Sequence, residues 1–160
     1  MQLAVLLDTV NLALSSPPLT PDALRASKVY LFLLPTSNSS RESIVGAVIA
    51  QRISTAMAIA SPNTSTPESD LIPVHIDSTK SLRLDPTPLP TPLGISRLFV
   101  SSSFRRQGIA FHMLDATAST FIHGCPLDPS SGDVAFSQPT ALGQSVMERW
   151  GSGGCRIYEE

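Results

Sequence analysis

Cysteine is scarce in this sequence of 160 residues: Cys125 and Cys155 stand thirty residues apart, without a CxxC pair or a histidine at ligand spacing. Neither a zinc site nor a disulfide scaffold is indicated. The two read as reduced thiols of an intracellular protein, with one buried disulfide as the alternative. Charge of one sign is also lacking, since 11 Lys and Arg face 13 Asp and Glu for a net charge of −2. With no Lys/Arg run, nucleic acid and anionic lipid are not the partners this chain advertises. No apolar run reaches the length of about 20 residues that a membrane span needs, so a soluble protein is expected.

The apolar start "MQLAVLLDTVNLALSSPP" lacks the positive flank of a secretion signal and carries Asp8 and Asn11 within it. Leu3, Leu7, Val10 and Leu14 recur at helical spacing, which predicts an amphipathic helix packed on a core. Thr20 before Pro21 predicts an N-cap with proline at the first helical position. Residues 28–35, "KVYLFLLP", form a buried strand bounded by proline. The β-branched stretch "IVGAVIAQRISTAMAIA" predicts a long strand or a bent hairpin with Gly46 as a bulge, helix being the alternative for its alanine-rich end.

From Ser61 to Pro92 the composition shifts to serine, threonine and proline. Each proline removes a ladder donor, so an irregular excursion is expected at about 61–92, with one short edge strand at "LIPVHI". It reads as a tolerated surface insertion, with a substrate-facing loop as the alternative. The second half is more regular: strand "GISRLFV", a basic turn, a helix from about Gly108 to Ile122, strand "DVAF", a helix from about Thr140 to Trp150, and a last strand "CRIYE". Antiparallel strands followed by βαβαβ predict one α/β (α+β) domain over 1–160, a mixed and mostly antiparallel sheet with helices on both faces. There is no internal repeat.

The stretch "RLFVSSSFRRQGIAFHML" places a strand, a basic turn and a helix start in sequence. The first turn of a helix carries N–H groups without intrahelical partners and the positive end of the peptide dipoles, which suits a phosphate group. Arg105 and Arg106 add charge there, and Gly108 lets a bulky anion approach the main chain. A pyrophosphate is the expected guest.

The pattern Arg105-x-x-Gly108-x-Ala110 resembles the acetyl-CoA motif of the GNAT N-acetyltransferases. A longer series, "GISRLFV", "RRQGIA", "MLD", "FIHG" and "AFSQPT", runs from Gly94 to Thr140 and resembles the catalytic domain of the cohesin acetyltransferases. The likeness extends more loosely to "LLD", "VGAVIAQRI" and the strand after "GSGG". It implies a GNAT fold, nuclear localisation, and acetyl-CoA-dependent acetylation of lysines on the head of the SMC subunit of cohesin, by direct transfer in a ternary complex. Relatives usually carry an N-terminal zinc finger and a sliding-clamp motif, neither of which occurs here. The chain looks like the catalytic domain alone or a shortened member.

For the site, the resemblance implies that the strand opens away from its neighbour and that the main chain of Leu98, Phe99 and Val100 binds the cofactor, a form of β-augmentation. Arg105, Arg106, Gln107, Gly108, Ile109 and Ala110 would hold the pyrophosphate, and the corner with Ser137 and Pro139 would approach cofactor and acceptor. Some relatives carry an acidic residue where this chain has Gln138, which puts a second carboxylate there in doubt. Asp115 matches the family position of the catalytic base, at the border of the helix's apolar face, where partial burial would raise its pKa; the plain alternative is a solvated carboxylate. Ser96 would orient the amine or the carboxylate, or handle the thiolate proton; a structural hydrogen bond is equally open. Arg97 reads as a buried arginine paired with a carboxylate, and His75, His112 and His123 as surface or core residues. Two other readings remain: a GNAT enzyme for a small amine, which needs a closed acidic pocket, and a non-catalytic acyl-CoA-binding module.

Overall fold

Unbroken buried runs at residues 45–50, 93–97 and 134–137 build the centre of the sheet, whereas residues 28–35, expected as a buried strand, form an edge that alternates and leaves Leu31 and Leu33 exposed. In the computed structural model, which describes residues 3–38, 40–137 and 140–160, the chain forms α1 (Leu3–Ala13), α2 (Pro21–Arg25), β1 (Ser27–Pro35), β2 (Glu42–Arg52), β3 (Thr55–Ile59), β4 (Ile72–His75), β5 (Ser81–Pro90), β6 (Leu93–Val100), α3 (Ile109–Thr120), β7 (Val134–Ser137), α4 (Ala141–Gly151) and β8 (Arg156–Tyr158). The strands lie in the order β1-β2-β6-β7-β8-β3-β5-β4. Only β6–β7 and β7–β8 are parallel among the described pairs. The expected mixed α/β sheet is therefore present.

Residues 42–59 do not fold into a hairpin. They run as one long strand bent near Ile53 and Ser54, and the alanine-rich end is β3, not helix. The companion is β5 running into β6, with the bend bridged by Ile53 N–H to Pro92 O at 3.3 Å and Thr91 N–H to Ser54 O at 3.0 Å. The irregularity predicted at Gly46 falls one residue earlier: the β1–β2 register jumps between Phe32/Gly46 and Leu33/Ile44, so Val45 is the extra residue. Gly46 serves a different end. A Cβ there would stand 2.8 Å from Met113 Cε, so the glycine lets α3 lie close on β2.

The proline-rich segment is more ordered than its composition suggested. The edge strand at "LIPVHI" is β4, but residues 81–90 form a full strand where an irregular loop was expected. Pro86, Pro88 and Pro90 alternate, so all three missing donors fall on one edge, the edge that β4 leaves uncovered beyond Leu84. Thr87 N–H turns to Asp85 Oδ1 at 2.9 Å in the irregular stretch, and the ladder to β3 survives past it with Ala56 opposite Leu89 and Thr91 N–H on Ser54 O.

Helices cover both faces. Ala47 of β2 packs with Leu6 and Val10 of α1, whereas its neighbour Gly46 faces α3, as side chains of successive strand residues must. The inward stripe of α1 is Leu6, Val10 and Asn11, all under a tenth exposed, so the helix is turned slightly from the expected Leu3, Leu7, Val10 and Leu14 face. Thr20 caps α2 as predicted, its Oγ1 accepting from Ala23 N–H at 3.2 Å. The main core joins Ile95, Met113, Leu114, Phe136 and Met147 from β6, α3, β7 and α4. Among the described residues no helix is long and apolar enough to cross a membrane.

Candidate active site

The site begins where two parallel strands part. Among the described residues β6 and β7 pair at Leu93/Val134, Gly94/Ala135 and Ile95/Phe136, and Ser96 and Ser137, next in line, are not paired with each other. On its other side β6 stays bonded to β2, but the register jumps from Arg97/Ile49 to Ile95/Ala50, leaving Ser96 as an unopposed bulge residue. A bulge re-aims the strand and its side chains. Here it sits where the described β7 pairing ends, so Arg97 to Val100, laddered to β2 along one edge, have no described strand partner along the other. Leu98, Phe99 and Val100 are partly buried along it.

Past Val100 the chain turns through Ser102–Phe104 into Arg105, Arg106, Gln107 and Gly108, the last four all exposed. Arg105 Nε donates to Val100 O at 3.0 Å and ties the turn to the end of β6. Arg106 and Gly108 adopt the left-handed conformation, with φ of 60° and 79°. The first bond of α3 runs from His112 N–H to Gly108 O at 3.0 Å. The N–H groups of Ile109, Ala110 and Phe111 therefore have no intrahelical acceptor. An exposed arginine pair beside open amides fits an anionic diphosphate, and the opened β6 fits an amide-bearing chain laid alongside it.

At the bulge, polar side chains gather around a cavity lined by Leu14, Ser96, Leu98, Phe136, Ser137 and Thr140, among others. Ser96 Oγ donates to Ile49 O at 3.2 Å, so its hydroxyl has the structural bond that burial demands. Ser137 Oγ lies 3.1 Å from both Ser96 O and Glu160 Oε1. Arg97, 4% exposed, is the hub. It donates to Asn11 Oδ1 at 3.2 Å, Ser96 O at 2.7 Å, Glu160 Oε1 at 2.8 Å and Pro17 O at 2.9 Å. The buried Arg97 thus has the carboxylate partner its place in an apolar strand required. Tyr158 stands behind this group, accepting from Gln51 Nε2 at 2.9 Å. Burial, with the Glu160 carboxylate nearby, pushes its hydroxyl up to about 12.

The predicted residues do not all meet. Ser96, Leu98 and Ser137 line one cavity, and Arg105 through Ala110 form the neighbouring turn and helix start. Gln138 and Pro139 lie outside the described residues. Asp115 is placed differently from expectation: it is exposed, not partly buried, and its Oδ1 accepts from Trp150 Nε1 at 2.7 Å. It does not line the cavity with Ser96. The helical pattern set it at the border of the apolar face, and its carboxylate there meets Trp150 of α4. Sequence reasoning missed Glu160 and Asn11 altogether. The one signal available was Arg97 itself, whose charge had to be answered from a distant segment.

Both cysteines are free. Cys125 is exposed, and Cys155 is buried with its thiol pushed up to about 12 by desolvation. Among the described residues no cluster of His, Cys, Asp or Glu could hold a metal ion.

A family model described as ESCO1/2 acetyl-transferase matches residues 90–158, the span from the end of β5 to β8 that contains the parting strands and the α3 entrance. This stretch belongs to the ESCO1/2 acetyltransferase family. Among its relatives, N-acetyltransferase eso1 of Schizosaccharomyces pombe is 34% identical over 144 residues, covering 90% of this chain and 15% of the relative. Human N-acetyltransferase ESCO1 is 30% identical over 133 residues, covering 82% of this chain and 15% of the relative. The chain thus spans about a sixth of the length of these ESCO1/2-family proteins. The solved xEco2 acetyltransferase domain bound to a CoA conjugate superposes with a TM-score of 0.75 at 25% identity, covering 98% of this chain and 82% of that one. The ESCO1/2 likeness therefore extends over the N-terminal half as well, including the proline-bearing β5.

Proposed function

We propose that this chain is an acetyl-CoA-dependent protein lysine N-acetyltransferase that acts in the nucleus on the SMC subunit head of cohesin to establish sister-chromatid cohesion. The observation that carries the reading is the parting of β6 from β7 just ahead of the open N-terminus of α3. Acetyl-CoA supplies an activated acetyl group as a thioester. Arg105, Arg106 and the amides of Ile109 and Ala110 hold its diphosphate, while the main chain of Leu98 to Val100 holds its amide-bearing arm. Main-chain N–H groups of the opened strand lie where charge on the carbonyl oxygen would be stabilised.

A lysine amine has an unperturbed pKa near 10.4, so its neutral form costs roughly 4 to 5 kcal/mol at pH 7. Ser96 and Ser137 at the bulge orient it in this reading, supported by their shared lining of one cavity. Transfer in a ternary complex is favoured over an acyl-enzyme, because Cys155 is buried with a raised pKa and Cys125 lies beyond the far end of α3. The site is an open cleft between strand ends, which suits a lysine presented by a protein better than a closed pocket for a small amine. The test is acetyl transfer to a lysine peptide from the cohesin head beside a panel of small amines. Exclusive turnover of the small amines would sink the proposal.

A further inference from the structure

We infer that Glu160 is a positioning residue of the acceptor site: its carboxylate turns the Ser137 hydroxyl so that the Ser137 oxygen is free to accept a hydrogen bond from the incoming lysine nitrogen. The inference rests on the lysine-acetyltransferase reading of the same cleft. Ser137 Oγ has two acceptors at equal distance, Ser96 O and Glu160 Oε1, both 3.1 Å away, and a hydroxyl has one proton to give. Both acceptors also receive Arg97 Nη1, the Ser96 carbonyl at 2.7 Å and Glu160 Oε1 at 2.8 Å, so their charge and not their occupancy separates them. A carboxylate is the stronger acceptor, so the Ser137 proton goes preferentially to Glu160. The Tyr158 hydroxyl, which is also hydrogen-bonded to the Ser137 side chain, takes one lone pair of Ser137 Oγ, and the other is left for a donor arriving through the cavity that Ser137 lines.

Glu160 is held for this task. Arg97 Nη1 fixes the same Oε1 at 2.8 Å, and the Arg97 side chain is itself fixed by Asn11, Pro17 and the Ser96 carbonyl. The Glu160 side chain stays 27% exposed, at the edge of the group instead of inside the core. Asp115 bonds Trp150 on α4, and the residue after Ser137 is the uncharged amide Gln138. Glu160 is thus the acid bonded to the cavity's own side chains.

The experiment measures, on the full chain, the affinity of a lysine-peptide–CoA conjugate and of free CoA for wild type, Glu160→Gln and Glu160→Asp. Glutamine keeps an oxygen for Arg97 but removes the charge. The expected result is a loss of about tenfold in conjugate affinity for E160Q, the size of one charge-assisted hydrogen bond. Free CoA affinity should be unchanged, and E160D should recover most of the loss. Steady-state kinetics should show the E160Q defect in KM for the peptide and in kcat, not in KM for acetyl-CoA. Equal conjugate affinity in wild type and E160Q, or a parallel fall for conjugate and CoA, would overturn the inference. A wild-type chain that acetylates no lysine peptide yet shows the expected affinity pattern defeats the enzymatic reading and leaves this one standing.

Discussion

The indole nitrogen of Trp150 donates to the carboxylate of Asp115 at 2.7 Å, fastening α4 to α3 across the exposed ends of both side chains. The same bond engages the acid that the family resemblance offered as the base. Asp115→Asn keeps an acceptor oxygen for the indole and removes only the charge. Its acetylation rate is therefore expected to stay within about threefold of wild type, far from the hundredfold or greater loss of a removed general base. Rate measurements on D115N decide this, and a hundredfold fall would return Asp115 to the chemistry.

Gly108 is required by backbone conformation, not by space. Its φ is 79°, and an added Cβ would come no closer than 3.9 Å to His112. Gly108→Ala is expected to cost about 1 kcal/mol of stability or somewhat more through the left-handed backbone alone. CoA affinity should fall with it, because the strain relaxes by moving the amides of Ile109 and Ala110. Thermal unfolding and calorimetric CoA titration of the variant read the two effects separately.

Arg97→Ala should be among the most damaging single changes. It strips the partner from Glu160 and empties a buried position whose neighbours include Asn11 Oδ1 and two carbonyls. About 3 kcal/mol is expected, toward the low end for a broken buried pair because Glu160 remains 27% exposed. Arg97→Lys should recover little, since one ammonium cannot serve four acceptors spread over a planar fork. Urea unfolding midpoints test both.

The two thiols should behave oppositely. Iodoacetamide on the folded chain should label Cys125 and spare Cys155. For stability, Cys155 is shifted from its ordinary 9.0 to about 12 and Tyr158 from 10.0 to about 12 by burial. Above pH 9 the unfolded chain releases protons that the folded chain still holds, so stability falls as pH rises from about 9 toward 12. A melting temperature flat across that window would contradict the assignment.

What the sequence disclosed follows from the range of the interactions involved. Thr20, β6, the α3 entrance at Gly108 and the need of Arg97 for an acid were legible because each depends on neighbours or on the cost of one buried charge. The extent of β5 was not, since counting prolines ignores that Pro86, Pro88 and Pro90 share one parity. Helical periodicity set Asp115 at the border of the apolar face but could not show Trp150, 35 residues on. Glu160 was invisible for the same reason, being brought to Arg97 across 63 residues by the placement of β8.

The proline parity of β5 has a consequence for the protein's conduct among its own copies. Beyond Leu84 the strand's outer rim has no amide hydrogens at positions 86, 88 and 90, and the Pro90 carbonyl is already taken by Arg156 Nη1 at 2.8 Å, so a stray extended segment meets a template with much of its pairing deleted. That blunted rim guards a wide sheet against runaway stacking into fibres, and replacing the three prolines is expected to raise turbidity on warming relative to the parent chain.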